Sequence, residues 1–175
     1  MDARRLLLLH GKHLGLSLKK LGLKASVISQ TDHGIVLGTR LQLRPHMSMP
    51  CYCTLSSGVS DGQSLIITCT AVIDTTLSDI ESLPALAAFI NQLSTVIPQF
   101  SLLLDLDSRK LILRQSQLYS KDSLCHFQVF YDKVQLLALP LINTVTRICK
   151  SAPSVTDARL MADYLAEDLY TEVTA

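Results

Sequence analysis

Along the chain the spacing of apolar positions alternates between helical and extended periods, and each change of period marks an element. Leu7, Leu14, Leu18 and Leu21 recur at helical spacing, Lys19 and Lys20 favour the negative end of the helix dipole, and Gly22 is placed as a stop. Gly11 and Gly15 inside this helix each cost up to about 1 kcal/mol. From Lys24 the period shortens. Ala25–Gln30 and Ile35–Leu43 read as strands around the polar turn Thr31-Asp32-His33-Gly34. Pro45 and Pro50 bracket a connection, and Cys51–Ser56 forms a short third strand. Asp61-Gly62 signals another turn, after which Ser64–Ile73 completes a meander. Leu65, Ile67, Cys69, Ala71 and Ile73 share one face of that strand, whereas the other mixes Ile66 and Val72 with Thr68 and Thr70.

The second half repeats the alternation of periods. Ser82 is placed as the N-cap of a helix from Leu83 to Val96, with Pro84 tolerable in its first turn and Pro98 as the stop. Ser78 with Glu81 is an alternative cap that would leave Pro84 too deep. Leu86, Ile90, Leu93 and Ile97 form the buried stripe. Phe100, Leu102, Leu104 and Leu106 then alternate with Ser101, Leu103, Asp105 and Asp107. A turn at Asp107-Ser108-Arg109-Lys110 leads into Leu111–Gln117, which predicts a hairpin. Phe127, Phe130, Val134, Leu137, Leu141, Val145 and Ile148 predict a long helix that Pro140 should kink or split. Leu124–Tyr131 reads alternatively as a strand. Ser154 with Asp157 caps a short last helix carrying Leu160, Met161, Tyr164 and Leu165, acidic on its other side.

Runs of strands separated by single helices argue an α+β fold, here a single domain over residues 1–175. Composition adds one pressure to that picture. Hydrophobic residues make up 48% of the chain and charged ones 18%, against roughly 25% charged in average soluble proteins. The surplus requires either a large core or a covered surface. A formal net charge of +1, with the basic pairs Arg4–Arg5, Lys19–Lys20 and Arg109–Lys110 far apart, argues against nucleic-acid binding. After Arg4-Arg5 the leucine run ends at His10, too short for a signal peptide, and nothing reaches the length of a membrane span. The five cysteines, odd in number, fit reduced thiols in a cytoplasm.

The helix containing Leu83-Pro-Ala-Leu-Ala-Ala-Phe-Ile-Asn-Gln-Leu and the stretch from Phe100 to Arg114 resemble the YbjN family, whose members look like type III secretion chaperones in fold. The shared features are a helix containing Phe-Ile-Asn-Gln-Leu and a hairpin with a polar, acidic turn. The order of elements covers most of the chain, and residue similarity about a fifth of it. The resemblance implies a bacterial cytoplasmic protein, often dimeric, whose apolar surface contacts other chains. Secretion chaperones of this shape hold an extended segment of their client. They are typically acidic, and this chain is near neutral.

Catalytic patterns are sparse. The seven glycines form no phosphate loop, and neither G-x-S-x-G nor H-E-x-x-H occurs. His10 and His13 share a helix face without a nominated third metal ligand, and Cys51-x-Cys53 lacks a partner pair, so no metal and no cofactor is expected. Cys125-His126 has the residue types of a thiolate pair, but adjacent helical side chains diverge by about 100°. Asp105 and Asp107 read as turn formers. The expectation is a non-catalytic protein-binding module, self-associating as a homodimer or binding another polypeptide. Its candidate surface is Ile66, Val72 and Leu103, the apolar exceptions on polar strand faces. A subunit of a larger assembly and a small enzyme using Cys/His chemistry are the alternatives.

Overall fold

The computed structural model describes residues 3–20, 22–57, 64–74, 80–98, 100–105, 107–108, 110–119 and 123–174. Helix α1 (Ala3–Lys20) precedes strands β1 (Ser26–Gln30), β2 (Gly34–Arg44), β3 (Met47–Ser57) and β4 (Leu65–Asp74). A turn of 3-10 helix leads into α2 (Leu83–Val96), followed by β5 (Ser101–Asp105), β6 (Lys110–Leu118), α3 (Ser123–Ser151) and α4 (Val155–Thr174). The sheet order is β1-β2-β3-β4-β6-β5, a mixed α+β fold as the alternating periods predict. The expected turn at Asp61-Gly62, the Ser78 cap, and Leu21, Leu106 and Arg109 lie outside the described residues.

The chain divides into two compact units, Met1–Ala71 with Gln115–Lys133, and Val72–Arg114 with Val134–Ala175. In the first, α1 packs on β2 and β3. Its buried stripe is Leu7, Leu14 and Leu18. The helix ends as Gly22 predicts. With φ at +77°, Gly22 donates its N–H to the Lys19 carbonyl while Leu23 reaches back to Leu18, the double bond of a Schellman cap. The β2–β3 ribbon keeps one register from Gly34↔Ser56 to Gln42↔Ser48. Strict alternation then buries Ile35, Leu37 and Leu41 with Met49, Cys51, Cys53 and Leu55 on one face.

Pro50 corrects the expected connection: it lies inside β3, a strand of 11 residues, opposite Arg40. The β3–β4 ladder stops at Cys51↔Ala71, next to Pro50. A proline has no N–H for a further rung, so it is tolerated at that point but ends the pairing.

In the second unit α2 matches its expected limits and buries Leu86, Ile90 and Leu93 together with Ala85, Ala88 and Phe89. Ser82 is at the N-cap, yet its hydroxyl makes no capping bond, because its own backbone is already helical. The Asp105 carboxylate closes the β5–β6 turn by accepting the N–H groups of Asp107 and Ser108 and the Ser108 hydroxyl. These bonds hold its pKa below the ordinary range, the Ser108 hydroxyl contributing most.

Helix α3 runs without interruption from Ser123 to Ser151, so the segment 124–131 is helix and Pro140 does not split it. Proline removes the hydrogen bond to the carbonyl four residues earlier, that of Leu136, and Leu136 is on the exposed side where water can solvate the carbonyl. Helix α4, at 20 residues, is longer than expected. Ser154 and Asp157 form its cap, with the Ser154 Oγ 3.1 Å from the Asp157 N and 2.7 Å from its carboxylate. Its buried face is Ala158, Ala162, Leu165 and Ala166, while Leu160 and Tyr164 of the expected stripe are exposed. Alanines let α4 lie close against α2, where the Gln92 amide donates to Asp163 at 2.7 Å and the Tyr170 hydroxyl to the Val96 carbonyl at 3.1 Å.

Three backbone substitutions test these assignments by urea unfolding. Gly15 has open space at its missing Cβ, so Gly15→Ala should stabilise by about 0.5–1 kcal/mol. A Cβ at Gly11 would meet the Ile35 Cδ1 at 2.6 Å, so Gly11→Ala should gain less. Ala152, which ends α3 at φ +40° with its N–H on the Ile148 carbonyl, should gain about 1 kcal/mol on replacement by glycine.

Candidate functional site

Alternation sends every second strand residue to the face opposite the core, and the apolar exceptions named from the sequence all fall there. In the first unit Ile66 lies on β4 beside Ser56 of β3 and is half-buried among threonines and serines. Thr68 on the same face shares a 2.9 Å hydroxyl–hydroxyl bond with Ser116 of β6. In the second unit Leu103 is paired with Ile112 across the hairpin, and Leu103 is 44% exposed. Tyr119 donates its N–H to the Leu65 carbonyl, and the Thr68–Ser116 bond fits the same antiparallel register. Continued along the strands, that register sets Val72 opposite Ile112. Val72, Ile112 and Leu103 thus form one row across β4, β6 and β5, none of them buried. Ile112 was not singled out from sequence, because a leucine-rich strand hides which of its apolar residues faces outward.

The buried face carries the thiols. Cys53 and Cys69 are direct cross-strand partners, and Cys51 is two residues along on the same side. Burial pushes the Cys51 thiol up to about 12, with the neighbouring Cys69 adding to it. The hydrogen bond with Cys69, followed by burial, raises Cys53 well above its ordinary value. Cys51 and Cys53 therefore stay protonated at neutral pH and are poor nucleophiles. His10 is partly covered, its ring meeting the edge of Tyr119 at a centroid distance of 4.9 Å, while His13 is exposed. Among the described residues no group of three or more His, Cys, Asp or Glu is arranged to hold a metal. Cys125 and His126 are on α3, but their side chains lie outside the described residues.

A second feature, which no residue pattern announces, opens at the sheet edge of the first unit. A cleft of about 610 Å³ is lined by Leu23 and Lys24, by Ser26 and Ile28 of β1, by β2 residues 38–40 and 42, and by Pro50, Tyr52 and Tyr131. Thr39 is 8% exposed, and its hydroxyl has no hydrogen-bond partner. The one trace of this cleft in the chain is the unequal length of the first two strands.

The chain matches no family model, no curated protein and no solved structure. No described helix is long and apolar enough to cross a membrane.

Two measurements follow from these environments. From about pH 9, the ordinary value, to about 12, unfolded Cys51 ionises while folded Cys51 stays protonated. Stability should therefore fall as pH rises through that window, by up to about 1.4 kcal/mol per unit for this group. Cys51→Ala should flatten the slope, and an unchanged slope would contradict the assignment. Thr39→Val removes a buried hydroxyl without a partner and should raise stability by about 1 kcal/mol in urea titrations.

Proposed function

We propose that this chain is a non-catalytic module that binds a partner polypeptide through the solvent-facing side of its sheet. The observation that carries the reading is the Leu103–Ile112 pair in the second unit, which Val72 joins when the β4–β6 register is continued: apolar side chains left partly open on a face that hydroxyl and charged residues otherwise occupy. Contiguous apolar surface of this kind is a usual mark of protein contact. The apolar surplus of the composition points the same way, with Leu160 and Tyr164 of α4 adding to it. The order of helix, meander, helix, hairpin and closing helix supports a chaperone- or regulator-like role similar to that of YbjN proteins and secretion chaperones, in a bacterial cytoplasm and as a homodimer. High thiol pKa values at Cys51 and Cys53 weigh against thiolate catalysis by them.

The test is co-purification of the full chain and its Leu103→Asp variant from the source cell, with sedimentation velocity on each. A discrete partner, or a dimer, should be present with the native chain and reduced at least tenfold by the variant. Because Leu103 is exposed, the variant should unfold within about 0.5 kcal/mol of the native chain. A monomer that recovers nothing discrete, or equal recovery by both chains, would overturn the proposal.

A further inference from the structure

Strand β1 pairs with β2 only as far as Ser26↔Gly38, whereas β2 continues to Arg44. The side of β2 beyond Gly38 therefore has no neighbouring strand. Which backbone groups face that side follows from the turn. The Gly34 carbonyl accepts from Thr31 on the β1 side, and the His33 carbonyl accepts from Ser57 on the β3 side. The β2–β3 register is unbroken to Gln42, so alternation directs the N–H and C=O of Val36, Gly38, Arg40 and Gln42 toward β1. Gly38 meets Ser26 there; Arg40 and Gln42 meet no strand.

These two residues line the cleft just described. Its lining holds Lys24 and Arg40 as exposed cations and no carboxylate. Thr39, with its partnerless buried hydroxyl, lies between them in the chain. Gly38 keeps the floor low: a Cβ there would meet Ile28 at 2.6 Å, and Tyr52 is directly opposite. The cleft thus combines an unpaired strand edge, which strand addition requires, with an aromatic floor and positive charge that select what is added.

We propose that the free edge of β2 at Arg40 and Gln42 receives an extended segment of an acidic polypeptide, which continues the sheet where β1 ends. Its backbone bonds to the N–H and C=O groups of Arg40 and Gln42, and a carboxylate side chain meets Arg40 or Lys24. Charge decides the occupant. A second copy joined edge to edge would bring its Arg40 and Lys24 against the same cations, whereas an acidic segment neutralises them. The inference rests on the protein-binding reading but not on the sheet face that carries it.

The probe is a fluorescein-labelled peptide of eight residues alternating valine and glutamate, titrated with the full chain by fluorescence anisotropy. Saturable binding is expected, at least tenfold weaker with Arg40→Glu or with the lysine counterpart of the peptide. Methylating the peptide's alternate backbone nitrogens should abolish binding. Gln42→Pro should weaken it at least tenfold, since proline removes the edge N–H and leaves the β3 side of the ladder intact. Amide exchange at Arg40 and Gln42 should slow at least tenfold in the complex, a readout on the native chain should the proline variant not fold. No saturation, equal binding of the lysine or methylated peptide, or protection confined to other strands would overturn the proposal. So would a native dimer that Gln42→Pro dissolves, which would make the second copy the occupant. Failure here with Leu103-dependent capture intact removes the cleft alone.

Discussion

Leu37, Cys53, Leu55 and Ile67 must leave water together, and in a strand only every second side chain can join them. That two-residue period is the constraint on which the structure depends. It commits β2 and β3 of the first unit to one buried face under α1, with Leu65, Ile67 and Cys69 of β4 on the same side, and it commits Leu111 and Leu113 of the second unit in the same way. The residues between them are then turned outward whatever their chemistry. Where these are threonine, serine or arginine the outcome is a solvated sheet face. Where they are Ile66, Val72, Ile112 and Leu103 it is apolar surface with no core to enter. The proposed function grows from that consequence of geometry.

The ends of elements matter as much as their faces. The Schellman cap at Gly22 and Leu23 closes α1 and returns the chain to start β1 at Ser26, too late to pair with all of β2. Pro50 ends the β3–β4 ladder at a definite rung. The sheet is thus trimmed by local backbone chemistry, and the exposed edge at Arg40 and Gln42 is one product of the trimming. On the buried face the same packing holds Cys51 and Cys53 as neutral thiols, because a charge there would be stranded away from water.

Much of this was legible in the chain. The limits of α2, the Gly22 stop, the β5–β6 hairpin and the outward placement of Ile66, Val72 and Leu103 follow from period, caps and turn residues. Where the structure differs, the causes are physical. Pro50 and Pro140 look like breaks, but a proline is tolerated wherever the missing N–H is not needed or the orphaned carbonyl faces water. The buried face of α4 was misplaced because Ala158, Ala162 and Ala166 carry little hydrophobic signal, while Leu160 and Tyr164 carry much. Close helix packing selects small side chains, and small side chains are quiet in a sequence. The cleft beside β2 leaves a fainter trace for another reason: it arises from a difference between two strand lengths, not from any residue's own character.

The central claim is that a polypeptide partner covers the outward face of the sheet. Its most direct test is a photo-crosslinking side chain at position 103, irradiated in the source cell and resolved by mass spectrometry, with position 12 on the exposed side of α1 as the control. A discrete cross-linked product, a second chain of defined mass, is expected from position 103 and not from position 12. Uncross-linked monomer from position 103, or the same diffuse products from both positions, would contradict it.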